Sequence, residues 1–217
     1  MSTQTFWLER TENVAVGLRR YRGGTGGFDC EHGYHSALVY TGVAPAIYKD
    51  DEDYGYKRLT FQPEVPHDDP HWPKKCEKCA YEFVDDDHWQ DWQEQIYKRP
   101  DGGLRVLHQN APADSLGVPA AEPGAMWNAW WMPSAVNQKD GRYLMCRLPD
   151  GHDWAIDSRA SNCTMPDDNV HRCWVRSGDP LKGQVNVDKD GNTCAAGAGS
   201  IQSPKWHGFL RNGVLVE

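Results

Sequence analysis

The sequence has 217 residues, enough for one domain of ordinary size or two small ones. Apolar residues make up 39% and charged residues 25%, a globular composition that excludes disordered, collagen-like and coiled-coil proteins. Lysine and arginine number 23 against 31 acidic residues, a net charge of −8. We therefore expect no nucleic acid partner, because such proteins neutralise phosphates with many basic side chains.

The segment Asp85–Lys98 carries the clearest helical pattern in the chain. Aspartates favour the N-terminal end of a helix, and Asp87 with Gln90 three residues later resembles a capping box. Large apolar residues recur at i, i+3 and i+7, at Trp89, Trp92 and Ile96. The pattern predicts a helix over about residues 85–98.

A proline-rich segment divides the chain. Residues 110–124 contain three prolines and few large apolar side chains, which is typical of a linker or a long loop. We predict a zinc-stabilised N-terminal module over 1–109 and a β-rich C-terminal module over 125–217. The latter contains hairpin turn signals such as 149–151 and 211–213. The predicted fold class is α+β, mainly antiparallel β-hairpins with one well-defined helix and a structural zinc site.

The second module begins with a dense aromatic segment. It contains Trp127, Trp130 and Trp131 within residues 125–133. Tryptophan favours half-buried positions where its N–H finds a partner, and it is enriched at protein interfaces. These three side chains are therefore candidates for partner binding, with core packing as the alternative.

The seven cysteines are expected to be reduced. No stretch approaches the ~18 consecutive apolar residues of a membrane span, and no signal peptide is visible at the N-terminus. We therefore expect neither membrane association nor secretion. An odd number of thiols in a reducing compartment indicates metal ligands and spare buried cysteines rather than a disulfide framework.

The strongest local motif is the Cys-x-x-Cys knuckle at Cys76 and Cys79. Two thiolates on a tight turn can share one tetrahedral zinc ion. Cys30 and His32 supply a second pair, which gives a predicted Cys₃His site that ties the N-terminal strands to the helix near Asp85. Four protein ligands leave no open position, so the zinc would be structural. Alternatives to His32 are His35, His67 and His71.

A second set of soft ligands lies in the C-terminal module. Cys163, His171, Cys173 and Cys194 could close another tetrahedral metal site. The commoner reason for such cysteines is that they are free thiols buried as small apolar residues. A third possibility is a catalytic cysteine nucleophile with His171 as its base, since residues 171 and 173 of a strand point to the same face.

Several sequence blocks carry a family resemblance. The blocks are 148–154, 157–164, the His171–Arg176 run HRCWVR, and the Thr193–Ile201 run TCAAGAGSI. They are similar to an uncharacterised protein family encoded by tailed bacteriophages, whose members also carry a Cys-x-x-Cys after Trp-Pro. The likeness covers the C-terminal half and the knuckle, while residues 1–70 match loosely. It implies a phage origin and transfers no activity to individual residues.

We expect a zinc-stabilised structural or interaction protein, associated with the virion of a tailed phage as a capsid, decoration or head-tail component. Its partners would be other virion proteins or further copies of itself. It would be found in the host cytoplasm during assembly and then in the virion. The alternatives are a zinc- or cysteine-dependent enzyme acting in the infected cell and a small modulator of a host protein.

Overall fold

The structure is a computed structural model. It describes residues 2–22, 30, 34–51, 56–59, 68–70, 72–79, 81–107, 118–132, 140–168, 171–188, 194 and 199–217. In the first half of the chain the strands are β1 (Ser2–Gln4), β2 (Phe6–Trp7), β3 (Glu9–Arg22), β4 (His35–Pro45), β5 (Tyr48–Asp51), β6 (Tyr56–Leu59), β7 (His88–Lys98) and β8 (Leu104–Arg105). In the second half they are β9 (Ala125–Asn128), β10 (Leu144–Arg147), β11 (Asp153–Ala155), β12 (Val175–Asp179), β13 (Gln184–Asp188), β14 (Ile201–Gln202), β15 (His207–Arg211) and β16 (Val214–Val216).

The described residues contain a 3-10 turn at Pro180–Lys182 and no α-helix. The predicted α+β class is therefore wrong, and the chain is β-rich. Over the same residues, no helix has the length and apolar character needed to cross a membrane.

An antiparallel sheet in the order β4-β3-β7-β8 dominates the first half. Its central strand, β3, buries five consecutive residues from Val14 to Leu18. A register shift falls between Val16 and Gly17, where the backbones of β3 and β4 come close together. An ideal Cβ on Gly17 would lie 2.1 Å from the Val39 carbonyl oxygen, so only glycine fits there without movement.

The predicted helix over 85–98 is wrong, because residues 88–98 form β7 and pair with β3. Ile96 and Tyr97 are each 1% exposed, although they are neighbours in sequence. They pack into two different core clusters, as opposite faces of a strand allow. Asp87, the predicted helix cap, instead accepts a hydrogen bond from the Val84 N–H at 2.7 Å and closes the turn before the strand.

The second half is built from hairpins, as its turn signals predicted. β10 pairs with β11, β12 with β13 and β15 with β16, all antiparallel. These hairpins and the segments beside them share a core cluster, which contains Met126, Leu144, Cys146, Leu148, Ile156, Val185, Val187, Ile201, Trp206, Leu210 and Leu215.

The first residues of the chain belong to the sheets of the second half. β1 pairs with β16 antiparallel, and β2 pairs with β9 parallel, with Phe6 opposite Ala125. Within the predicted linker, Val118 is buried and Ala120 forms a parallel bridge with Val106, whereas 110–117 lie outside the described residues. The division into modules stays a prediction.

Candidate metal centres

The knuckle occupies a short hairpin before β7. The Cys76 N–H donates to the Tyr81 carbonyl at 2.7 Å, and the Phe83 N–H donates to the Lys74 carbonyl at 2.9 Å. This pairing places Cys76 on the first arm of the hairpin and Cys79 in its turn. The Lys78 N–H points to Cys76 Sγ at 3.5 Å, so the turn directs a backbone donor at the sulfur.

Two further candidate ligands lie beside the knuckle. One is His35, at the start of β4, and the other is Cys30, which precedes that strand. Cys30, His35, Cys76 and Cys79 each offer a donor atom, and all four atoms lie within 4.8 Å of one another. Cys30, His35 and Cys76 are buried, and Cys79 is exposed. The ring of Tyr81 stacks on the His35 imidazole, with centroids 4.1 Å apart. We call this group the first cluster.

The histidine of the first cluster is His35, one of the alternatives to the predicted His32. Residues 31–33, and with them His32, lie outside the described residues. His35 opens β4 and pairs in register with Arg22 of β3. This register fixes the imidazole beside the knuckle, with His35 Nδ1 at 3.2 Å from Cys79 Sγ.

The surroundings of the first cluster favour the thiolate of Cys76 and disfavour that of Cys79. Burial opposes ionisation of the Cys76 thiol, but the backbone N–H of Lys78 and other donors outweigh it and lower the pKa of Cys76 to about 7. The Tyr81 backbone also favours the Cys79 thiolate. Partial desolvation and the neighbouring Cys30 and Cys76 sulfurs outweigh that effect and raise the pKa of Cys79. Like-charge repulsion disfavours a second thiolate beside the first, and a bound cation would relieve that repulsion.

The second cluster brings together all four residues predicted from the sequence. The donor atoms of Cys163, His171, Cys173 and Cys194 lie within 4.8 Å of one another. Cys173 and Cys194 are each 3% exposed, and the other two are half-buried. Cys163 lies in a turn after β11, His171 and Cys173 lie just before β12, and Cys194 completes the set.

Interatomic distances in the second cluster match the edges of a zinc tetrahedron. Zn–S bonds of about 2.3 Å and Zn–N bonds of about 2.05 Å imply S···S edges of about 3.8 Å and S···N edges of about 3.6 Å. Cys194 Sγ lies 3.6 Å from Cys163 Sγ and 3.9 Å from Cys173 Sγ. His171 Nε2 lies 3.6 Å from Cys173 Sγ. The residues present therefore fit a tetrahedral ion such as zinc. In the first cluster, the 3.2 Å between Cys79 and His35 is somewhat shorter than the corresponding edge.

These sulfurs are not disulfide partners. All seven cysteines are free, and a disulfide needs an S–S distance of about 2.05 Å.

Backbone and side-chain hydrogen bonds hold the second cluster in place. The Thr164 N–H points at Cys194 Sγ at 3.2 Å, and the Met165 N–H points at Cys163 Sγ at 3.4 Å. Such N–H···S contacts favour thiolates. The His171 N–H donates to the Asp168 carboxylate at 3.1 Å, which positions the histidine backbone.

The surroundings of Cys173 favour its neutral thiol over its thiolate. Burial, together with the neighbouring Cys163 and Cys194 thiols, raises the pKa of Cys173 to about 11 despite a backbone contact from Ala160. A nucleophilic cysteine needs a depressed pKa. The seventh cysteine, Cys146, lies outside both clusters, fully buried in the large core, and burial raises its pKa well above the ordinary range.

A polar group near the β10–β11 hairpin has the residue types of a hydrolytic triad but not its connections. Ser203 Oγ donates to Asp150 Oδ2 at 2.6 Å, and His152 Nδ1 lies 3.4 Å from the same oxygen. In a triad the imidazole lies between the serine and the carboxylate. In this group Asp150 lies between the other two, and it also accepts the backbone N–H of Lys205, so it holds two loops together.

The three candidate partner-binding tryptophans differ in burial. Trp127 is 1% exposed and packs with Leu8 and Tyr97 in a core cluster, whereas Trp130 and Trp131 are half-buried. Partner binding by these residues stays a prediction.

Comparison with known proteins adds no relative, since no family model, curated protein or solved structure matches the chain.

Proposed function

We propose that the chain is a structural protein stabilised by two zinc ions, one in each Cys₃His cluster. The single observation that carries this proposal is the spacing of Cys163, His171, Cys173 and Cys194, in which three of the distances between donor atoms match tetrahedral edges. A zinc ion bound there would cross-link the four side chains in tetrahedral geometry. Each cluster offers four protein ligands, so neither leaves a position for water or substrate.

The ligands come from segments that are distant in sequence. In the first cluster Cys30, the start of β4 and the knuckle hairpin meet, and in the second Cys163, the His171–Cys173 run and Cys194 meet. Coordination that joins such segments contributes directly to the free energy of folding.

We further propose that this protein functions through protein contacts in the particle of a tailed bacteriophage. The resemblance of the C-terminal blocks and the knuckle to the phage family supports this role. The negative net charge and the high tryptophan content are consistent with protein partners rather than nucleic acid. The partners would be other virion proteins or copies of the chain, met in the host cytoplasm and retained in the particle.

The zinc proposal is tested by metal analysis of the full chain purified without an affinity metal. Inductively coupled plasma mass spectrometry should find two equivalents of zinc per chain. Cys76→Ser should remove one equivalent, and Cys163→Ser should remove the other. Cys146→Ser lies outside both clusters and should leave the zinc content at two. Iron in place of zinc, or an unchanged zinc content in both ligand variants, would contradict the assignment.

The particle role is tested separately. Mass spectrometry of purified virions of a phage that encodes the chain should detect it at a fixed ratio to the major capsid protein after a high-salt wash. Its absence from washed virions, with abundant protein in the infected-cell lysate, would contradict the virion role and leave the zinc assignment standing.

A further inference from the structure

A cavity of about 420 Å³ lies where the first sheet meets the strands of the second half. Its lining comes from β2, the start of β3, β7, β9 and the 3-10 turn, so it forms only when both halves of the chain are folded. The volume falls within the range of small-molecule sites, about 300–1,000 Å³. It is separate from both metal clusters, whose ligands do not line it.

The walls combine aromatic, aliphatic and cationic groups. The half-buried Trp7 and Trp130 and the exposed Leu181 supply apolar surface, whereas Leu8 and Tyr97 in the lining are each 1% exposed. The polar part contains two guanidinium groups, Arg10 and Arg142, with Asn128 and one carboxylate, Glu9. Aromatic side chains beside convergent polar groups are found at many sites for small organic molecules.

The Arg10 side chain lies over two aromatic rings at this cavity. Its guanidinium carbon lies 4.8 Å from the centre of the Trp130 ring and 5.3 Å from the centre of the Tyr48 ring. Those two rings contact each other edge to face, with centroids 5.3 Å apart. Stacking uses the faces of a guanidinium and leaves the N–H groups on its edge free to donate.

The charge of Arg10 is not compensated within the part of the chain that the structure describes. There it makes neither an ion pair nor a side-chain hydrogen bond, whereas Arg142 lies 3.5 Å from Asp140. A stacked, unpaired guanidinium matches the planar geometry of a carboxylate or phosphate, which it can bind through two parallel hydrogen bonds.

We propose that this cavity binds a small organic anion, with its carboxylate or phosphate on Arg10 and its ring against Trp7 and Trp130. Binding at this cavity is independent of the zinc sites. It gives the molecule a ligand of defined chemistry in addition to its structural role.

Calorimetric titration of the full zinc-loaded chain tests this assignment with benzoate and phenyl phosphate as probes. At least one of the two should bind with a millimolar or lower Kd, and the tighter one identifies the anionic group. Benzamide keeps the ring without the charge, and acetate keeps a carboxylate without the ring. Both should bind about tenfold more weakly or worse, since each lacks one of the two contacts.

Arg10→Gln should weaken binding of the better probe about tenfold or more. The matched control is Arg211→Gln, because Arg211 is also exposed and also stacks on an aromatic ring, that of Phe209 at 4.6 Å, but does not line the cavity. Thermal melting checks that both variants remain folded. The proposal is overturned if neither anionic probe binds, if benzamide binds as tightly as the better anionic probe, or if Arg10→Gln and Arg211→Gln bind that probe equally well.

Discussion

Two buried cysteines allow the metal contribution to be separated from packing. Cys146 and Cys173 are 0% and 3% exposed, so replacing either by alanine removes one buried sulfur. From packing alone each substitution should cost about 1 kcal/mol, similar to the loss of one buried methyl group. Only Cys173 belongs to a metal cluster.

The metal adds a further cost to Cys173→Ala. Structural zinc sites bind with about 10–16 kcal/mol, and at ~1 μM free zinc this stabilises the folded state by about 2–8 kcal/mol. We therefore expect Cys173→Ala to lower the free energy of unfolding by about 3–9 kcal/mol, against about 1 kcal/mol for Cys146→Ala.

Urea unfolding at fixed free zinc, followed by circular dichroism, measures both values. Repeating it with a chelator removes the metal contribution from the wild type. The wild type should then lose stability, and the gap between the two variants should shrink. Equal costs for the two variants in zinc, with the same zinc content in both, would refute the reasoning.

Two other predictions concern the fold. Gly17→Ala should lower the melting temperature clearly more than Gly42→Ala, because the new Cβ of Gly17 would meet the Val39 backbone at 2.1 Å, whereas at Gly42 the nearest atom is a side-chain methyl at 3.3 Å; equal melting temperatures would argue against this close approach. Lowering the pH should also destabilise the fold through Glu122. Burial opposes its ionisation, but hydrogen bonds from Arg105 outweigh burial and lower the pKa of Glu122 below its unfolded value. Its contribution is therefore fully present above the unfolded pKa and lost as pH falls through the folded one. Urea midpoints between neutral and acidic pH should fall less steeply in Glu122→Gln than in the wild type, and identical slopes would contradict the role of this carboxylate.

The helix prediction failed for a reason that local sequence does not contain. Trp89, Trp92 and Ile96 fit a helical period, and the preceding aspartates fit a cap. Pairing with β3 overrides these weak local preferences, because a long central strand needs a partner on each edge. One signal was present in the sequence. Ile96 and Tyr97 are adjacent large residues, which fit opposite faces of a strand buried on both sides.

The ligand sets were more predictable than the fold. Cysteine and histidine are rare and chemically specific, so grouping Cys163, His171, Cys173 and Cys194 required no knowledge of the strands, and the structure brings them together. The choice of histidine in the first cluster depends on the register of β4, which the sequence does not specify. The cavity was not predictable, because its lining comes from residues far apart in the chain.

The pairing of β1 with β16 has a consequence for how the chain folds. Ser2 lies opposite Val216, so this ladder joins residues from the two extremes of the sequence. Contacts of such long sequence separation carry a high loop-closure entropy and slow folding. During synthesis, β1 emerges from the ribosome long before Val214–Val216 and cannot form this ladder until then. This edge of the sheet therefore stays unpaired until β16 has been made.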